Sequence, residues 1–327
     1  RLANDMQKLL GLSVKKTIEF ISEANRILQV LQDKGRDAEK VFDYTRRFAG
    51  FIAKYKGKQF AADIEKIRIG DVTLYSIQPP CGSNTYLLSS EHEAEILMID
   101  TGFAVYRDEM AKIFRKLFPD WETRAKRIYI THADVDHCGL LSLMPDAEVY
   151  MNKKSAESIR RQYEGVPDFR EEKDLCFGYS KLSQIISGYM PMDPSKIKLI
   201  DTQEIGEHEN PERIGSFAYG GMTFEVLEGN GGHLYGEMVF YDKKDGLIFT
   251  GDNLVNISGF TPERAEFNSF APYLMSSVNI DSKKASAARD AIIRMIGNEE
   301  MIVCGGHGPI SLLKEGQLLN LHAEKII

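Results

Sequence analysis

Residues 129–139 read Tyr129-Ile130-Thr131-His132-Ala133-Asp134-Val135-Asp136-His137-Cys138-Gly139, with two histidines and two aspartates inside six positions directly after an apolar, strand-like run. Imidazole nitrogens and carboxylate oxygens are the ligand set of zinc, iron and manganese. A loop leaving a strand can turn alternate side chains toward one point. The stretch therefore predicts a metal-binding loop at a strand end.

Working outward, three more candidates repeat the arrangement. His233 follows the strand signal at Met222–Leu227 through Gly229-Asn230-Gly231-Gly232, Asp252 follows Leu247–Thr250, and His307 follows Met301–Cys304 through Gly305-Gly306. Met238–Tyr241 and Leu247–Thr250 flank a turn at 242–246, which predicts an antiparallel hairpin bringing His233 and Asp252 to one sheet edge. The glycines let the backbone bend sharply beside the presumed metals.

The motifs Thr131-His132-Ala133-Asp134-Val135-Asp136-His137, Gly232-His233, Gly251-Asp252 and Gly306-His307-Gly308 resemble, in order and strand context, those of the metallo-β-lactamase fold superfamily of binuclear metallohydrolases. Ile99-Asp100-Thr101-Gly102 looks like that family's early structural aspartate loop, and the resemblance covers about residues 62 to 320. It implies an α/β fold, a four-layer αββα sandwich with the metals at one edge between the sheets. It also implies that one metal takes His132, Asp134 and His233, that the other takes Asp136, His137 and His307, and that Asp252 bridges both.

Asp134 departs from the family pattern, which has a second His there. With Asp134, Asp136 and Asp252 all ionised, two divalent ions retain a formal charge of +1, a weaker Lewis acid that suits oxygen-preferring ions. Zinc is the first expectation, with iron or manganese allowed by Asp134. The implied activity is hydrolysis of an ester, thioester, phosphodiester or lactone by a hydroxide between the metals, with Asp136 and Asp252 as catalytic residues orienting it and moving its proton. The alternative is a di-iron protein of the same fold that binds or reduces oxygen, because a di-iron branch of the superfamily carries a carboxylate at that position. A true β-lactamase fits less well, since many use Cys where Asp252 stands. A glyoxalase II-like thioesterase carries His at position 134.

Composition agrees with a globular chain. The 327 residues are 43% apolar and 27% charged, which excludes collagen-like, disordered and coiled-coil chains. Residues 1–57 carry a net charge of +5, leaving −12 on the other 270. Long nucleic acid is a poor partner for that acidic body, because tracking a phosphate backbone takes Lys and Arg in number. The expected partner is a small or medium-sized substrate. No apolar run approaches the ~18 residues of a membrane span, and four widely spaced cysteines read as reduced thiols of a cytoplasmic protein.

Ile21, Ala24, Leu28 and Leu31 recur at helical spacing, Gly35 stops the run, and Asp37 can cap a second helix with Val41, Tyr44, Phe48, Phe51 and Tyr55 on one face. Residues 1–60 thus read as a helical hairpin appendage, and 61–327 as the metal-binding domain. Residues 152–221 read as an insertion, irregular beyond 164 except for a helical stretch near Leu182–Tyr189. The hairpin and the insertion are the two expected surfaces for a homodimer. His92, His208 and His322 stand in polar surroundings and are expected in solvent. Cys138 stands beside His137 at an expected helix start, a setting that can lower a thiol pKa, but as the adjacent residue it is expected to point elsewhere and to have no functional role. Tyr235, Asn253 and the aromatic stretch Phe267–Tyr273 are candidate pocket walls.

Overall fold

The structure is a computed structural model, and it describes residues 1–170, 176–200, 205–270 and 278–326. Three helices open the chain: α1 (Leu2–Leu10), α2 (Val14–Asp33) and α3 (Ala38–Lys54). The Ser13 hydroxyl accepts from Lys16 N to cap α2, and the Asp37 carboxylate accepts from Lys40 N to cap α3. The expected hairpin is therefore preceded by a further helix. On α2 the buried stripe is Thr17, Phe20, Ala24, Ile27 and Leu31. Ile21, expected inside, is 42% exposed, because Phe20 is the larger apolar group and turns the helix one position.

The remaining chain builds two sheets. The first contains β1 (Asp63–Ile69), β2 (Val72–Gln78), β3 (Thr85–Ser90), β4 (Ile96–Ile99), β5 (Lys126–Tyr129), β6 (Glu148–Met151), β7 (Ile197–Leu199) and β15 (Glu324–Ile326), in the order β15-β1-β2-β3-β4-β5-β6-β7. The second contains β8 (Glu212–Tyr219), β9 (Met222–Glu228), β10 (Met238–Asp242), β11 (Leu247–Gly251), β12 (Met301–Gly305), β13 (Ser311–Lys314) and β14 (Gln317–Asn320), in the order β14-β13-β12-β11-β10-β9-β8. The expected hairpin is β10–β11, with Phe240 opposite Phe249. β11 pairs parallel to β12, placing Gly251 beside Gly305. Both strands thus end at one edge.

Between the sheets lies an apolar layer built on Tyr86, Phe224, Phe240 and Phe249. Each such side chain contributes roughly 1.5–3 kcal/mol by leaving water. On the outer face of the first sheet pack α4 (Arg107–Leu117) and α5 (Lys153–Glu164), α6 (Cys176–Ser187) lies against α2, and the three N-terminal helices share this core. The outer face of the second sheet is covered by α8 (Ser282–Ile296) through Ile292 and Ile296. These are the four layers of an αββα sandwich. A short helix, α7 (Pro262–Asn268), joins the two halves near α3. No described helix is long and apolar enough to cross a membrane.

The segment expected to be irregular holds regular elements. β8 is the edge strand of the second sheet, with Ile214, Phe217 and Tyr219 buried. A register shift between Arg213 and Gly215 breaks its alternation, which hides the strand from a period-two reading.

Candidate metal centre

His132, Asp134, Asp136 and His137 lie on the loop after β5, His233 on the loop after β9, Asp252 directly after β11, and His307 after β12. All seven converge at one edge between the sheets. His132 Nε2, Asp134 Oδ2 and His233 Nε2 form one group, with Asp134 3.5 Å from each imidazole. Asp136, His137 and His307 form a second, with Asp136 Oδ2 3.9 Å from His137 Nε2 and 3.5 Å from His307 Nε2. Asp252 stands between them and divides its oxygens. Oδ2 lies 3.4 Å from His233 Nε2 and 3.9 Å from His132 Nε2, while Oδ1 lies 3.4 Å from His137 Nε2 and 3.5 Å from His307 Nε2.

Surrounding groups fix each ring by its other nitrogen. His137 Nδ1 is 2.8 Å from Asp100 Oδ2, His132 Nδ1 is 3.0 Å from Thr131 Oγ1, His233 Nδ1 is 2.9 Å from Asn279 Oδ1, and His307 Nδ1 is 3.1 Å from the Gly82 carbonyl. Partners of this kind hold metal-ligating imidazoles in orientation. Asp100 has a φ of +56°, strained for a residue with a Cβ. Its carboxylate also accepts from Thr131 N and Thr131 Oγ1, so the conformation is stabilised by three contacts at once.

Burial by itself pushes the Asp252 carboxyl up, but the imidazoles of His307 and His137 outweigh it and hold the group well below the usual carboxylate range. Asp134 behaves alike: burial raises it, while Arg170 and the hydrogen bonds to His132 and His233 bring it well below. His132, buried beside the His137 ring, is shifted down. Burial opposes the charged form of His137, yet Asp252, Asp100 and Asp136 together raise it well above the ordinary imidazole value. Two buried atoms, His137 Nε2 and Asp252 Oδ1, lack any hydrogen-bond partner while facing each other. A cation shared by such atoms satisfies both, so four imidazoles and three carboxylates fit a pair of metal ions.

A sequence model of the metallo-beta-lactamase superfamily matches residues 78–307. The chain belongs to the metallo-beta-lactamase superfamily. Among solved structures it is similar to a metallo-beta-lactamase family protein from Thermus thermophilus, at 17% identity and a TM-score of 0.47, covering 77% of this chain and 74% of that one. It is similar to a Cronobacter sakazakii metallo-beta-lactamase with a HARLDQ motif, at 17% identity and 0.45, covering 79% and 81%. It is also similar to a mutant flavo di-iron protein from Thermotoga maritima, at 14% identity and 0.44, covering 76% and 58%. No curated protein matches the chain.

Several contributing residues were not legible in the sequence. Arg170, 7% exposed, directs Nη1 onto Asp134 Oδ1 at 2.6 Å. Glu237 accepts from the backbone N–H groups of Gly231, His233 and Leu234, shaping the glycine loop that carries His233. Asn84 donates to the carbonyls of Gly305 and Gly308 on either side of His307. None of the three belongs to a local motif; each is recruited from elsewhere in the fold.

The other expected positions divide. Cys138 is buried and its thiol is pushed well above the ordinary value, first by burial and then by Asp100 and Asp134, so it is inert. The His208 side chain is 6% exposed beside Glu228, not solvated. His92 and His322 are exposed. Asn253 lines the cavity before the centre, whereas Tyr235 packs on Phe169 beside a different depression. Of the aromatic stretch, Phe267 lines the cavity, and residues 271–273 lie outside the described ones. Among the described residues, Cys81, Cys138 and Cys304 are buried free thiols.

Proposed function

We propose that this chain is a binuclear metal-dependent hydrolase. His132, Asp134 and His233 would hold one ion, Asp136, His137 and His307 the other, and Asp252 both. The observation that carries this reading is the division of Asp252, one oxygen toward each group of imidazoles at 3.4 to 3.9 Å. Bound there, two divalent ions would lower the pKa of a shared water and polarise the oxygen of the scissile group.

The chain's own residues supply the rest. Asp136 uses Oδ2 toward His137 and His307, which leaves its other oxygen to take the proton of an attacking water and return it to the leaving group. Asp252, committed on both sides, orients the water. Leu234, 1% exposed, Phe103, 4%, and Phe267, 7%, keep bulk water from the inner wall of the cavity. Asp134 supports a second reading, a di-iron centre that binds or reduces oxygen, because its hard oxygen donor suits iron.

Metal analysis and an absorption spectrum of protein purified without added metal distinguish the two. Two zinc or manganese ions per chain with turnover of p-nitrophenyl esters or bis(p-nitrophenyl) phosphate are expected. Two irons with visible charge-transfer bands and no hydrolysis would establish the second reading. Asp252→Ala is expected to lower metal content below two and abolish turnover with the far-UV spectrum unchanged; full activity in that variant would refute the proposal.

A further inference from the structure

The seven side chains open onto a cavity of about 570 Å³, within the range of small-molecule sites. Away from the carboxylates and imidazoles its lining combines polar groups, Ser180, Ser183 and Gln184 of α6 among them, with an apolar wall. Phe48 of α3, Phe103 and Phe267 of α7 form one wall, their ring centroids 5.4 Å apart for Phe48 and Phe267 and 6.1 Å for Phe103 and Phe267. Val255, Ile257 and Phe260 also line the cavity. Ile257 and Val278 line the cavity yet are 67% and 37% exposed, so apolar side chains stand at the mouth.

The charged lining groups are largely committed. Arg170 is paired with Asp134, and Asp168 accepts from Gln162 Nε2. Among the described residues this leaves Arg289, an exposed guanidinium. A phosphodiester brings a fixed negative charge and is ordinarily recognised by convergent cationic donors. Beyond the centre itself, the described lining offers a phosphodiester one further cation, the solvated Arg289, whose Nη2 already donates to Ser286 Oγ at 3.2 Å.

Resting on the hydrolase reading, we propose that the substrate is a neutral ester, thioester or lactone whose apolar chain lies along the Phe48–Phe103–Phe267 wall and leaves past Ile257. Water adds to the carbonyl carbon, the acyl C–O or C–S bond breaks, and the released proton passes to the leaving alkoxide or thiolate. The N-terminal helices, by supplying Phe48, take part in substrate selection.

The test uses the full zinc-loaded chain with p-nitrophenyl acetate, butyrate and hexanoate and with bis(p-nitrophenyl) phosphate. The expected result is a kcat/KM that rises about fourfold per methylene, the factor corresponding to ~0.8 kcal/mol, and that exceeds the phosphodiester value for every ester. Phe48→Leu and the surface change Ile257→Asp should each lower the hexanoate-to-acetate ratio, the second by about fivefold or more; Ile257 is exposed, so its variant should fold. A flat chain-length profile, or preference for the phosphodiester, would overturn the substrate class while leaving hydrolysis intact. Absence of all turnover would overturn hydrolysis, and binding then decides the rest. Isothermal titration of 2-octanone into chelator-treated and zinc-loaded protein should show saturable binding weakened by Ile257→Asp, and no binding would overturn the proposal.

Discussion

Asp134 and Arg170 act as one unit. Two divalent ions bound here would be reduced to a formal +1 by three aspartates, and the guanidinium 2.6 Å from Asp134 Oδ1 would return the local charge to +2, the value an imidazole at 134 would give alone. In metal-free protein, removing either partner strands the other, at a cost of about 3 kcal/mol for a pair this sheltered. Arg170→Met and Asp134→His should therefore each lower the melting temperature, and the double variant should recover most of the loss. Strictly additive losses in calorimetry would show that the two do not compensate. The imidazoles give a second expectation. His137, His233 and His307 are raised when no metal is bound: burial opposes the charged form in each, and neighbouring carboxylates outweigh it. A raised imidazole stabilises the fold fully below its unfolded value near 6.5 and loses that contribution as pH climbs through the folded value. Zinc needs the neutral ring, so its stabilisation runs the other way. The gap in melting temperature between zinc-loaded and metal-free protein should widen from pH 6 to pH 8, and a constant gap would contradict this.

At the scale of elements, strand ends and their glycines place the site. A Cβ at Gly306 would overlap Asp252 Oδ1 and stand 2.8 Å from His137 Cε1. Gly306→Ala should therefore leave the sheets folded by circular dichroism but reduce zinc content below two per chain. Glu237→Ala removes the acceptor of three backbone N–H groups, at about 1–3 kcal/mol, and should weaken zinc affinity by loosening the His233 loop. Much of this scale was legible: each of the seven side chains follows a strand-like run, and the β10–β11 hairpin announces itself by its turn. The helix stripe on α2 was misread by one position, since Phe20 and Ile21 are adjacent apolar residues and periodicity alone does not choose between them.

For the whole molecule, the layered fold could be inferred from ordered motifs, but the integration of residues 1–57 could not. Sequence shows amphipathic helices; what covers their apolar faces is decided by contacts at long separation. In the structure Phe51 meets Phe267 and Phe270, and Tyr106 Oη donates to the Ile52 carbonyl. Deleting residues 1–57 would bare this core and is expected to yield aggregated protein, not a folded remainder; recovery of a monodisperse, cooperatively melting fragment would refute the expectation. Arg170 and Asn84 were illegible for the same reason, since nothing near either residue in the chain hints at its partner.

The seven donor side chains span positions 132 to 307 and come from both sheets. As a ribosome extends the polypeptide, His132 through His137 emerge long before His233, Asp252 and His307, which stand at strand ends of the second sheet. Ions held by all seven would therefore be captured only once the second sheet has formed, and would seal its docking onto the first.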